Sequence, residues 1–325
     1  FFVLSGFLIT YLLVSEHEKT SKVDIKSFYI RRILRIWPLY YGVVLFSFII
    51  YPGIKLIVFG INNTLSSNIL YHLVFLSNFD VLNVEKFFSG NEALSQNITW
   101  SVSIEEQFYL FWPLIFILIP KKLWLSSIVI VILSSLTFRL FHTTDKLVLY
   151  FHTLSVLIDL GVGGLFALMI KKYNTFKLFF ENSSTGIHLL FFIFSFTLLW
   201  FNETIFNFQY GGAVNRLFIT LSFAMIISAQ ALTKSKSILN LGKVKIASQL
   251  GKYTFGIYLI HPIVINLFDV LYKSLQITKD TFFSSFLFGS TCLISTIFVS
   301  KCSYKYFESP FLKLKERFSV IQTKP

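Results

Sequence analysis

Two adjacent carboxylates, Glu105 and Glu106, stand at the entrance of an apolar run in the stretch N-I-T-W-S-V-S-I-E-E-Q-F-Y-L-F-W-P over 97–113. A charged side chain at membrane depth costs roughly 3 kcal/mol, and such groups normally face a protein interior or a wet cavity. On a helix, Glu105, Phe108, Tyr109 and Trp112 share one face through i, i+3, i+4 and i+7 spacing, while Glu106 points about 100° away. Either the acids serve as acid–base groups, or they stay at headgroup level above a belt of Tyr and Trp. A second constellation, F-Y-I-R-R-I-L-R-I-W-P over 28–38, brings Arg31, Arg32 and Arg35 within one helical turn of each other. Planar guanidinium forks bind phosphate bidentately, so the cluster suits a phosphorylated ligand as well as a plain positive anchor. In G-K-Y-T-F-G-I-Y-L-I-H-P, Tyr258 and His261 lie at i, i+3 within an apolar helix. His261 is a candidate proton-transfer group because its ordinary pKa lies near neutrality, or else a packing histidine. Asp159 falls in the middle of an apolar run beside Gly161, Gly163 and Gly164, where a functional or interhelical polar role is the default. Ser5 and Gly6 form a small pair suited to close helix approach.

These residues need a scaffold, and composition names it. Of 325 residues, 54% are hydrophobic and only 14% charged, with a mean hydropathy of +0.69. A soluble protein carries about a quarter charged residues. The fold class is therefore all-α, a polytopic transmembrane helix bundle. A crossing helix needs about 20 apolar residues. The spans then fall near 1–15, 36–52, 101–119, 123–141, 151–170, 186–201, 213–232, 250–272 and 282–302, about nine in all. The apolar stretch 69–79 is too short to cross and is expected as a re-entrant or surface-lying helix.

The net charge of +13 does not point to nucleic acid, because the basic residues sit at the ends of apolar runs. With the loop from Glu16 to Arg35 placed in the cytoplasm, that side collects twenty-one Lys and Arg against five on the other. Such an asymmetry sets orientation. One membrane domain over 1–302 is expected, followed by a basic cytoplasmic tail, 303–325, lying near anionic lipid. Cys292 and Cys302 offer neither a disulfide framework nor a metal cluster, and no metal site is expected. The chain starts inside an apolar run at Phe1, so it is expected to be an N-terminally truncated fragment.

Five stretches together resemble the acyltransferase-3 family of bacterial integral membrane acyltransferases. They are F-F-V-L-S-G-F-L-I at 1–9, F-Y-I-R-R-I-L-R-I-W-P at 28–38, T-W-S-V-S-I-E-E-Q-F-Y at 99–109, L-G-K-Y-T-F-G-I-Y-L-I-H-P at 250–262 and Y-F-E-S-P-F at 306–311. The resemblance implies ten transmembrane helices in the bacterial inner membrane. It also implies acyl transfer, usually of acetyl from acetyl-CoA, to a hydroxyl of an envelope carbohydrate such as lipopolysaccharide O-antigen, capsule or peptidoglycan. By it, Arg32 and Arg35 match an Arg-x-x-Arg pair that would hold the phosphates of coenzyme A. Trp100, Ser101 and Glu105 match a Trp-Ser-x-x-x-Glu element, with Val102 in place of the commoner Leu. Ser5 and Gly6 match the start of the family's second helix, and Tyr258 and His261 a later polar pair. The family's first helix carries an Arg and a catalytic His that Glu105 would orient or charge-balance. That helix precedes Phe1, so this fragment is expected to be inactive, and His261 is a poor substitute.

The candidate catalytic residues are thus Glu105, Glu106 and His261, and the donor-binding ones Arg31, Arg32 and Arg35. Ser5, Trp100, Ser101, Ser103, Asp159 and Tyr258 are substrate-facing or structural polar positions. The partners expected are membrane lipid and an envelope carbohydrate acceptor. The rival class is a transporter or flippase of a lipid-linked sugar, with Glu105, Asp159 and His261 as a proton path. No halves with matching broken helices are visible, which counts against it. A noncatalytic glycan- or lipid-binding member is the third reading.

Overall fold

The computed structural model describes residues 1–59, 67–83, 98–233, 240, 242 and 244–318. All its regular elements are helical. In chain order they are α1 (Phe2–Thr20), α2 (Ile25–Leu45), α3 (Tyr51–Phe59), α4 (Ile69–Leu73), α5 (Ser77–Asn83), α6 (Thr99–Leu118), α7 (Trp124–Phe141), α8 (Lys146–Phe151) and α9 (Thr153–Lys172). There follow α10 (Asn174–Glu181), α11 (Thr185–Trp200), α12 (Asn202–Ile205), α13 (Gly211–Leu232), α14 (Lys245–Gly251), α15 (Thr254–Ser274), α16 (Phe282–Ser303) and α17 (Ser309–Glu316). π-helical turns at Phe46–Ile50 and Tyr304–Glu308 join α2 to α3 and α16 to α17.

Among the described residues, seven helices or helix runs are long and apolar enough to cross a membrane: Ile25–Ile54, Thr99–Leu118, Lys121–Phe141, Lys146–Lys172, Gly211–Leu232, Thr254–Ser274 and Phe282–Glu316. The pair α10–α11, bent by 95°, makes an eighth if it counts as one span. Large apolar side chains such as Phe141, Phe196, Trp200 and Phe298 stand exposed, as lipid-facing residues must. The chain is a multi-pass membrane protein. The count differs from the expected nine for local reasons. The run over 1–15 continues as helix to Thr20 through Glu16, Glu18 and Lys19, and this charged end keeps α1 out of the apolar set. The run over 186–201 is one arm of the bent pair.

Helix boundaries follow the capping chemistry. The chain leaves α1 through Ser21 in the left-handed region (φ 58°), and Asp24 starts α2 by accepting from the Ser27 amide at 3.0 Å and the Ser27 hydroxyl at 2.6 Å. An N-terminal cap of this kind contributes about 1 kcal/mol. Burial alone would raise the Asp24 carboxyl slightly, but the two Ser27 bonds dominate and hold it below its ordinary value. Because the cap sits at Asp24, the span expected from residue 36 begins at Ile25. Its arginines therefore lie inside the helix, and Pro38 lies within it too. The stretch 69–79 resolves into the short helices α4 and α5, neither long enough to cross.

By contacts the chain divides into two compact units, Phe1–Val23 with Ile104–Ser248, and Asp24–Ser103 with Gln249–Pro325. In the first, α1 packs along α9, with α7, α8, α10 and α13 against α9 and α11 against α13. The α1–α9 approach depends on absent side chains. A Cβ on Gly6 would collide with the Leu160 carbonyl oxygen, and one on Gly163 with the Val3 carbonyl oxygen. At Gly164 a Cβ would fall 2.6 Å from Trp112 Cζ2 and 2.8 Å from Thr10 Oγ1. Lipid gives helices no hydrophobic reason to associate, so small residues that let backbones meet supply the packing. In the second unit α15 packs on α16 and α2, and α17 packs on α2.

Candidate functional site

In the first unit the sequence-selected carboxylate is buried. Glu105 is 2% exposed, and its neighbours on the same helical face, Phe108, Tyr109 and Trp112, are buried with it. The Ser5 hydroxyl of α1 donates to Glu105 Oε1, and Tyr109 is a further hydrogen-bond partner. One face of α6 is tied to α1 again by Trp112 Nε1, which donates to Thr10 Oγ1 at 2.8 Å. Glycines 6, 163 and 164 let α1 lie close enough for Ser5 to reach its partner. A carboxylate so placed, in low dielectric beside a hydroxyl, is able to accept or hold a proton or to balance a cation. Glu106, half-buried, adds a second like charge beside it.

Asp159 has a different place. Arg216 of α13 donates to both its oxygens, Nε at 3.0 Å to each and Nη2 at 2.7 Å to Oδ2, and the Thr220 hydroxyl donates at 2.7 Å to Oδ1. A buried bidentate pair with an extra donor satisfies the carboxylate internally. Next to it Arg139 of α7 donates to the carbonyls of Leu149, Gly212 and Ala213 at 2.8–2.9 Å and to Ser155 Oγ at 2.6 Å. These arginines hold α7, α9 and α13 together. Among the readings open for Asp159, the structure supplies the interhelical one.

In the second unit Ser101 Oγ and Tyr258 Oη lie 2.5 Å apart, joining the first turn of α6 to α15. His261, one turn beyond Tyr258, has its ring centroid 6.1 Å from the tyrosine ring, and its Nδ1 donates to the Ile257 carbonyl at 3.2 Å. In the neutral ring that bond leaves Nε2 as an acceptor. Trp100 is half-buried at the start of α6, and Asn97, at the head of the motif, lies outside the described residues. Arg31, Arg32 and Arg35 follow one another along α2. Arg32 sits 5.8 Å over the Phe28 ring, Arg31 Nη1 donates to the Phe318 carbonyl at 2.7 Å, and Arg35 is exposed.

Sequence reasoning attached no role to His72, yet it sits at the centre of a buried polar cluster in the second unit. His72 is 1% exposed, with Nδ1 at 2.8 Å from Thr99 Oγ1 and Nε2 at 2.9 Å from Ser67 Oγ. Ser67 also donates to Asp80 Oδ2 at 2.5 Å, and Asp80 lies 3.7 Å from His72 Nε2. Ser77 Oγ meets Ser103 Oγ at 2.7 Å and Thr99 Oγ1 at 3.1 Å, while Tyr40 Oη donates to the His72 carbonyl at 2.8 Å. Ser103 is thus part of a hydroxyl chain leading to a histidine. The one available signal was an Asp and a His eight residues apart in a mostly apolar stretch.

Burial alone would raise the Asp80 carboxyl, but bonds from His72, Ser67 and the Asn68 amide outweigh it and hold the pKa below its ordinary 3.8. A depressed carboxyl adds stability at pH values above the unfolded pKa and loses it as the pH falls through the folded one. Asp80→Asn is therefore expected to cost roughly 1–3 kcal/mol at neutral pH. The deficit should shrink as the pH falls below 3.8. Thermal midpoints of both proteins in detergent at pH 7 and pH 3 check this. An equal deficit at both values would remove the ionised carboxylate from the account.

No group of three His, Cys, Asp or Glu that could hold a metal occurs among the described residues. An open cavity of about 430 Å³ between α15 and α16 is lined by Val264, Leu267, Phe268, Ile294, Ser295, Phe298 and Val299, and carries none of the candidate site residues.

A provisionally named O-acetyltransferase of Staphylococcus aureus is 26% identical over 325 residues, covering 96% of this chain and 52% of its own length. The peptidoglycan O-acetyltransferase OatA of Listeria monocytogenes is 26% identical over 330 residues, covering 96% and 50%. An uncharacterised Haemophilus influenzae protein is 38% identical over 147 residues, 44% of this chain and 58% of its own. The chain thus spans about half the length of the first two relatives. No solved structure matches it. The model of the acyltransferase-3 family, described as an acyltransferase domain, matches residues 1–300, a range that holds Glu105 with its serine, the α2 arginines and the Tyr258–His261 pair; the chain belongs to that family.

Proposed function

We propose that this protein is an O-acyltransferase of the bacterial inner membrane. It moves an acyl group, acetyl in the simplest case, from acyl-CoA to a hydroxyl of an envelope carbohydrate. The observation that carries the reading is the buried Glu105 carboxylate held by Ser5, in a chain of this family. Glu105 is the acid–base or charge-balancing group, with Glu106 as its like-charged neighbour. It would take up the proton of the acceptor hydroxyl as that hydroxyl attacks the thioester carbonyl, the C–S bond breaking and the proton passing to the departing coenzyme A sulfur, or stabilise the cation that does so. Arg31, Arg32 and Arg35 bind the donor phosphates, for which three guanidinium groups on one helical turn are suited. Ser101, Tyr258 and His261 form the polar side of the acceptor path, and the segment 303–325 is the basic cytoplasmic tail. The name of the Listeria relative makes peptidoglycan the first acceptor to try, with other envelope glycans after it. The transporter reading loses a member of its proton path, because Asp159 is engaged by Arg216 and Thr220.

The test uses the full-length protein in proteoliposomes with labelled acetyl-CoA and peptidoglycan fragments. Label appearing as an ester on the sugar, found by mass spectrometry and removed by mild base, is the expected result. Passage of a lipid-linked sugar across the bilayer without acyl-CoA, and no ester, would overturn the reading in favour of transport.

A further inference from the structure

The segment after α16 lies beyond the family match, which ends at residue 300, yet it is bound along the arginine helix. Two contacts fix its register. A Cβ placed on Gly42 would lie 3.7 Å from the Phe307 ring, and Arg31 Nη1 donates to the Phe318 carbonyl at 2.7 Å. Eleven residues separate the contacts on each of the two segments, which run in opposite directions. Lys315 lies between them on α17, which packs on α2. Lys315 is accordingly half-buried and within electrostatic reach of Arg35, Arg32 and Arg31, whereas Lys313 is exposed. Three carboxylates border the cluster: Asp24 near Arg31, Glu308 near Arg35 and Glu316 near Lys315.

The fold thus brings a fourth cation, from another element, onto the turn of α2 that already carries three. Helix packing holds it there despite the like charge. We infer that Lys315 completes a cradle for a phosphate-bearing ligand with Arg31, Arg32 and Arg35, so that α17 forms one wall of the donor site. The inference rests on the donor reading of the arginines given above. The chemistry recognised is a phosphate ester: the guanidinium forks take oxygen pairs, and the ammonium adds a point charge with three donors. Two sources carry such groups, the nucleotide end of acyl-CoA and an anionic lipid headgroup, and the first is the one we assign. The π-helical turn Tyr304–Glu308 supports this role, because it widens the helix just before Pro310 and lets α17 be placed against α2.

The experiment measures coenzyme A binding to the purified protein by calorimetry, in neutral-lipid nanodiscs and in nanodiscs containing phosphatidylglycerol. Lys315→Ala is expected to weaken binding about 10-fold, the scale of a lost hydrogen bond to a charged group. Lys315→Arg is expected to retain most of the affinity, and Lys313→Ala all of it. Lys315→Ala binding with wild-type affinity, while Arg35→Ala binds weakly, would overturn the role of Lys315 and leave the arginine site standing. Absence of coenzyme A binding by the wild type would overturn the donor reading and this inference together. An effect of Lys315→Ala seen only in phosphatidylglycerol nanodiscs would assign the lysine to lipid and overturn the inference.

Discussion

Made in the full-length protein, Glu105→Gln is expected to lower acyl transfer at least about 100-fold, the lower end of what a positioned acid–base group contributes. The amide keeps the shape of the side chain and still accepts from Ser5, so the packing of α6 against α1 persists. What disappears is the charge and the capacity to hold a proton. Removing an ionisable group from a site only 2% exposed relieves a desolvation cost, so the thermal midpoint should stay level or rise. Loss of activity with gain of stability is the signature of a group retained for function. Initial rates with labelled acetyl-CoA, together with thermal unfolding in detergent, separate the two effects. Wild-type acylation by the variant would remove Glu105 from the chemistry. A fall in both activity and thermal midpoint would reduce it to a packing residue.

The second large effect is structural. Gly163→Leu should abolish the close approach of α1 to α9, because the first added carbon already meets the Val3 carbonyl oxygen. Backbone cannot rotate away as a side chain can, so the cost should reach or exceed the upper end of the overpacking range, about 3 kcal/mol. Gly163→Ala carries the same first carbon and should be impaired too, though less than leucine. The expected outcome is loss of the monodisperse peak in size-exclusion chromatography for the leucine variant and a lowered thermal midpoint for the alanine variant. Activity should follow, since Ser5 is carried by α1. A monodisperse leucine variant with an unchanged midpoint would show that α1 does not pack as described.

Parts of this site were legible in one dimension because they lie on one helix. The shared face of Glu105, Phe108, Tyr109 and Trp112 follows from helical spacing, and all four are buried. The small pair Ser5-Gly6 marked close helix contact, and Gly6 is one of the places where backbones meet, with Gly163 as its counterpart on α9. The partner of Asp159 was not legible. Arg216 is 57 positions away, and nothing in local pattern selects it over Arg139. His72 was passed over because its bonds to Thr99 and Ser67 and its approach to Asp80 depend on how two short helices turn in a connection with no periodicity of its own.

Composition, apolar run length and the placement of basic residues determined by themselves that this is a helical membrane protein. Ordered motifs added its family. These properties depend on the chain's transfer into lipid and on local spacing, which any stretch expresses without its neighbours. Tertiary structure alone decided that Glu105 answers to Ser5, that Asp159 is spent on Arg216, and that Lys315 stands beside arginines nearly three hundred residues earlier. Helix neighbours in lipid are chosen by which backbones fit closely and which buried polar groups find partners, and both choices are made between segments far apart in the chain.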